Sequence, residues 1–316
     1  MSGEIEEFGQ IMFCKNGTKE KFMEIISQLD LTPPVVIKPN WSTSTIFTEA
    51  TILDWTLSAL NCETVIVESY AFYRSPIFKE HDGPFDDALE KKLVAQKKED
   101  LRENDKWFLK LTGIREILRK HDVEYLNLSE ELWSKKVCEP KQMREIVDSR
   151  FEPLVSDILY SMIPTKLYEM RGGTLLSLAK PKISYGAIGV SLSIKNQFGM
   201  IATPYRGKFH GANDSKLNDS IMDINKINQS LFNVRGIVEG VFTTSGSRDF
   251  LGKSTMYRNL GLVWGSNDVF ELDATITTQL GLEPQDIGHL ALASQTFGHW
   301  SQDTIEAAKN NLVTLH

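Results

Sequence analysis

Short β-branched runs alternate along the chain with longer stretches of helical periodicity, the pattern of a mainly parallel sheet covered by helices. PVVIKPN over 34–40 predicts a strand, with two prolines ahead of a continuous apolar run and a polar end. TVIVESY over 64–70 repeats that shape. TEATILDWTLSAL over 48–60 supplies the crossover helix of a βαβ unit, with Thr48 as its expected N-cap. QIMFC over 10–14 and VEYLNL over 123–128 read as further strands, and TLLSLAKPK (174–182), GIVEGVF (236–242) and NLGLVWGSND (259–268) restart the pattern. The expected fold is α/β, with mainly parallel sheets covered by helices and a helical insertion around 82–120. In that insertion a charge-dense stretch precedes Trp107, Phe108, Leu111, Ile114 and Leu118, which recur at helical spacing. A single unit over 1–316 is expected, open to division into two lobes, about 1–172 and 173–316, with a ligand cleft between them. No Pro/Gly/Ser-rich linker marks that boundary.

The composition narrows the class. A chain of 316 residues, 41% hydrophobic and 24% charged, has ample length for a large core. Its 42 acidic and 35 basic residues give a net charge of −7, which argues against a general attraction to nucleic acid or anionic membranes. Cys14, Cys62 and Cys138 are far apart and form no C-x-x-C, so they read as reduced structural thiols and supply no iron–sulfur cluster. MSGEIEEFGQ is acidic where a signal peptide is basic, and no apolar run approaches the roughly 18 residues of a membrane span. A cytoplasmic location without a membrane partner is expected, and a homo-oligomer is compatible with the sequence.

In open α/β sheets ligands bind beyond the carboxyl ends of the strands. The residues expected there are Lys38 and Asn40, Glu68 and Ser69, Lys180 and Lys182, Glu239, and Ser266 with Asp268. A second concentration of donors lies in SLSIKNQFGMIATPYRGKFHG (191–211), which carries Lys195, Asn196, Arg206, Lys208 and His210 among Pro204, Gly207 and Gly211. Lysine offers a point charge, arginine a fork that matches carboxylate or phosphate, and histidine a proton acceptor near neutral pH. His210 and Lys195 are the candidate catalytic residues. Lys38, Asn40, Asn196, Arg206, Lys182, Glu68, Glu239, Asp268 and Asp273 are candidates for substrate binding. Asp268 also fits the N-cap of a helix beginning VFELDATITTQL, with Asp273 in its second turn. Either aspartate would serve to orient Lys195 or His210, or to give oxygen ligands to a divalent cation. No H-x-x-x-H pair points to a histidine metal site, and no G-x-G-x-x-G, G-x-x-x-x-G-K-[ST] or G-x-S-x-G occurs.

IKPNWSTSTIFTEATILDWTLSAL, TVIVES, SLSIKNQFG, His210 and GSNDVFELDATITTQLGLEPQDIGHLALASQTFG, in that order over about 34–298, resemble the domain-of-unknown-function family number 362. The resemblance implies an α/β fold remotely similar to the N-terminal domain of lactate racemases. It also implies iron–sulfur binding in members that carry a ferredoxin module, which this sequence does not contain. Two departures stand out. The Lys-Thr-His of many members is replaced by KISY over 182–185, and the family's Asp-Gly in the following strand is Arg235-Gly236.

Two functional readings follow. The first is an enzyme acting on a small anionic metabolite, in which Lys38, Lys195 and Arg206 or Arg235 hold carboxylate or phosphate and His210 moves a proton, as in an isomerase or racemase. The second is a non-catalytic protein that holds a metabolite or cofactor for a redox partner. Trp41, Trp55, Phe72 and Tyr73 are expected in the core or lining the pocket.

Overall fold

A computed structural model describes residues 4–71, 87–183, 188–248 and 254–315. Its strands are β1 (Ile5–Phe8), β2 (Ile11–Cys14), β3 (Val35–Pro39), β4 (Thr64–Glu68), β5 (Glu124–Asn127), β6 (Thr174–Ala179), β7 (Lys182–Ile183), β8 (Val190–Ser191), β9 (Asn233–Gly240), β10 (Thr243–Arg248), β11 (Ser254–Arg258) and β12 (Leu262–Ser266). Eight of them form one sheet in the order β1-β2-β12-β9-β6-β3-β4-β5. The five strands from β9 to β5 are mutually parallel, whereas β12 runs antiparallel to both β9 and β2. The α/β expectation is met, and strands from both sides of residue 172 pair within this sheet, β3 with β6 and β2 with β12.

Central strands read as continuous apolar runs because both faces are covered. Every residue of β3 and β6 is buried. Side chains alternate across the sheet, so Val36 and Leu175 join one hydrophobic cluster, while Val35, Ile37, Leu176 and Leu178 join the other. Helices Leu217–Leu231 and Val269–Gln279 cover the first face, and Lys19–Ser27 and Ala50–Ala59 the second.

The insertion is helical over Asp87–Leu111 and Ile114–Lys120. Its apolar stripe differs from the sequence reading: Phe108, Ile114 and Leu118 are buried, but Trp107 and Leu111 are 44% and 67% exposed. The first helix ends at Leu111 and Gly113 turns the chain at φ 74°, so one helical phase does not continue through both helices. Thr48 is likewise not the N-cap of Ala50–Ala59. Glu49 holds that position, and Thr48 is buried, with its hydroxyl accepting from the Asn40 amide and donating to the Leu178 carbonyl. Trp41 is fully buried and Trp55 packs against the same core, while Phe72 and Tyr73 fall outside the described residues.

Chain order sets a switch point in the sheet. The chain proceeds from β3 outward to β4 and β5, then returns to the other side of β3 to place β6 and β9. The β3/β6 boundary is therefore a topological switch point, where the flanking connections diverge, the place at which open α/β sheets take their ligands. A four-stranded sheet, β11-β10-β7-β8, starts within three residues of the ends of β6 and β9 and so stands over that edge.

Candidate functional site

Two buried lysines lie at the carboxyl edge of the sheet, and each is neutralised by a carboxylate on a neighbouring strand. Lys38, on β3, donates to Glu68 Oε2 on β4 at 2.8 Å and to the Pro39 carbonyl at 2.7 Å. The Glu68 carboxylate also accepts from the amides of Trp41 at 3.3 Å and Ser69 at 3.0 Å. Gly199 lies against this pair. A Cβ there would come within 2.7 Å of the Lys38 ammonium and 2.9 Å of Glu68 Oε1, so the absence of a side chain permits the close approach. Lys180, just past β6, contacts Glu239 Oε1 on β9 at 2.7 Å and Glu49 Oε2 at 2.5 Å. Burial raises the Glu239 pKa to about 8, against the opposing pull of Lys180.

Lys182 is different. Its ammonium donates to Asn40 Oδ1 at 2.7 Å, and no carboxylate of the described residues forms an ion pair with it. Burial, then the charges of Lys195, Lys180 and Lys38, lower its pKa to about 7, with Glu68 pulling it back. Asn40 is fixed in turn: its Nδ2 donates to Asn196 Oδ1 at 3.1 Å, and Asn196 Nδ2 donates to the Lys38 carbonyl at 2.9 Å and Ser177 Oγ at 3.1 Å. Two amides thereby tie the ends of β3 and β6 to the short helix Ser193–Asn196.

Asp273 holds that helix in place. Its carboxylate oxygens accept from the Ser193 and Ile194 amides at 2.9 and 2.7 Å, satisfying donors that a helix start leaves open. Burial raises the Asp273 pKa to about 8 in spite of these bonds. Asp273 therefore positions the turn carrying Lys195 through the backbone and does not touch His210.

The partner of His210 is Asp214. Its carboxylate lies 2.7 Å from His210 Nδ1 and accepts the ring N–H, which leaves the lone pair on Nε2. Asn213 and Asp214 both adopt left-handed backbone, at φ 52° and 61°, and this folds the chain back onto the ring. Phe198 meets the ring edge-on at 5.2 Å. Burial, followed by the charges of Lys195 and Arg206, lowers the His210 pKa against the raising effect of Asp214. Asp214→Asn keeps a side chain that tolerates this backbone while losing the negative charge. The expected result is a further fall in the His210 pKa, read from its ring-proton NMR shift against pH; an unchanged or higher value would remove Asp214 from this role.

The charge of Lys195 acts on Lys182, His210 and His289 alike. His289 is fully buried, and neither ring nitrogen has a hydrogen-bond partner among the described residues. Burial lowers its pKa to about 3, so it is neutral. Arg206 braces the backbone, with Nη2 donating to Ser69 Oγ and to the Gly199 carbonyl at 3.2 Å.

Other expected residues lie elsewhere. Because β12 is antiparallel, Ser266 pairs with Gly236 near the start of β9, and Asp268 falls at the opposite edge of the sheet. Asp268 accepts from the Phe270 and Glu271 amides, as the N-cap reading required, and takes no part in the crevice. Arg235 is also at that edge, donating to the Asp30 and Asn267 carbonyls. Two open cavities of about 270 and 300 Å³ adjoin it, the first bordered by Arg150 and Arg171 and the second by Arg150 and Phe297. His299 is exposed and contacts Ser294. Among the described residues no three His, Cys, Asp or Glu side chains converge as metal ligands, and no helix is long and apolar enough to cross a membrane.

Sequence reasoning missed the Asp214 partner because Gly211 interrupts the helical spacing, although the turn-prone Gly-Ala-Asn-Asp was a usable signal. Residues 161–278, which contain Lys182, Lys195, His210, Asp214 and Asp273, match a family model described as a domain of unknown function (DUF362). No curated protein and no solved structure matches the chain.

Proposed function

The chain carries a domain of unknown function of family 362 across residues 161–278, and on that premise we propose that it is an enzyme that moves a proton on a small carboxylate- or phosphate-bearing metabolite. The carrying observation is the His210–Asp214 pair, which leaves Nε2 as the acceptor while burial and the charge of Lys195 disfavour the protonated ring. A base needs a pKa near the working pH and a group that keeps the correct nitrogen unprotonated. The resulting imidazolium is stabilised by Asp214, as a carboxylate partner does in hydrolytic triads.

The anion preference follows from local charge. At the carboxyl edge of the sheet Lys38, Lys180, Lys182, Lys195 and Arg206 gather five basic side chains in a chain whose net charge is −7, and burial disfavours the negative form of the nearby Glu239. Removing a proton beside a carbonyl develops negative charge on oxygen. Lys195 and Lys182 are the groups suited to stabilising it, and the contact of Lys182 with Asn40 and its partial burial make its share stronger than in open water.

The reading is tested by incubating the protein in deuterated water with a panel of 2-hydroxy acids, 2-oxo acids and their phosphate esters. Deuterium should enter the carbon next to the carbonyl or hydroxyl of at least one of them, seen by loss of its proton NMR signal. A compound that binds in the crevice and retains its hydrogen would instead identify a binding protein.

A further inference from the structure

We propose that Lys182 forms a covalent imine with the carbonyl carbon of a small aldehyde or ketone acid. The inference deepens the proton-transfer reading by naming the substrate class. Lys38 and Lys180 are buried and each is locked to a carboxylate, so neither amine is available to react. Lys182 is partly exposed, has an amide oxygen as its partner, and faces the charges of three other lysines. A lysine becomes nucleophilic when desolvation and a neighbouring cation disfavour its protonated form. The lowered pKa of about 7 agrees with this arrangement.

The chemistry closes without any further reagent. The Lys182 lone pair adds to the carbonyl carbon, the oxygen takes up a proton, and water leaves as the C=N bond forms. Asn40 Oδ1, 2.7 Å from the nitrogen, accepts one of its hydrogens and so holds the amine in place. The protonated imine withdraws electrons from the adjacent carbon more strongly than the parent carbonyl, which acidifies the C–H that His210 would take. The substrate carboxylate is drawn by Lys195, whose charge acts on both Lys182 and His210.

The test uses the whole protein with pyruvate and borohydride at pH 7, followed by peptide mapping. Borohydride reduces the C=N bond to a stable secondary amine at the reacting lysine. The expected yield at Lys182 is at least about tenfold above that at any other lysine, since an ordinary amine near pKa 10.4 is almost wholly protonated at this pH. Lys182→Arg keeps the positive charge and should lose the adduct. The wild-type map alone decides the matter if that variant does not fold. Adduct spread evenly over exposed lysines, or none at Lys182, would overturn the imine. Hydrogen exchange by a protein that forms no adduct would remove the imine and leave the proton-transfer reading in place, whereas an adduct without exchange would support the imine alone.

Discussion

Lys180→Met is expected to destabilise the fold by about 3–5 kcal/mol above about pH 8, where Glu239 is ionised, the usual cost of removing one partner of a buried ion pair. Lys180 and Glu239 are both fully buried, and Glu49, on the other side of the ammonium, is a second carboxylate. Methionine fills the space of the lysine stem but leaves the two carboxylates facing each other across an apolar gap. Glu239 then avoids its charge by keeping a proton. Its folded pKa, about 8 against an ordinary 4.5, is already raised by burial and would rise further without Lys180. A raised carboxylate contributes stability that is complete below the unfolded pKa and is lost as pH climbs through the folded value. Up to about pH 8 wild type and variant both keep the Glu239 proton and lose this contribution together. The penalty in Lys180→Met should therefore be smaller near pH 5 and grow as pH rises past about 8, where only the wild type ionises Glu239 against Lys180. Adding Glu239→Gln should recover much of it. Urea unfolding at several pH values reads both effects; a loss below about 1 kcal/mol at every pH would mean that Lys180 is not the counter-charge of this buried cluster.

His210→Asn is expected to lower proton exchange on the substrate by about 10²–10⁴-fold, the range for loss of a positioned acid–base group. Asparagine can still donate to Asp214, so the strained turn at Asn213 and Asp214 retains an anchor. It has no lone pair of comparable basicity. Affinity for the substrate should stay within a few-fold, because Lys195 and Lys182, not His210, carry the charge that draws an anion. Wild-type activity should fall as pH drops through the His210 pKa, which lies below the ordinary 6.5. Protonation there places the ring in the form that cannot accept a proton.

The parallel strands were legible because their burial on both faces leaves a plain signature, as VVIKP and TLLSLA show. Lys38, Asn40, Glu68, Lys182 and Glu239 could be placed at the carboxyl edge of the sheet for the same reason: each follows or ends an apolar run whose direction is fixed by its connection to the parallel sheet. Asp268 follows a similar run but sits at the far edge. Nothing in LVWGS records that β12 pairs antiparallel to β9, since strand direction is a property of the connection through β10 and β11 and not of the strand itself. Asp273 was legible as a helix residue, yet its function in holding Ser193 and Ile194 depends on packing between segments 80 residues apart. The Lys180–Glu239 pair joins β6 to β9, and the depression of the Lys182 pKa arises from burial and then from the charges of Lys195, Lys180 and Lys38, which only the folded chain brings together. Such long-range electrostatics leave no local pattern in a sequence.

The most direct measurement is hydrogen–deuterium exchange on a carboxylate shown to bind the wild-type protein, repeated with His210→Asn at saturating ligand. The account predicts exchange in the wild type, a loss of at least about a hundredfold in the variant, and affinities that agree within a few-fold. Exchange of equal rate in both proteins, or a tightly bound ligand that exchanges in neither, would contradict a proton-transfer function for this site.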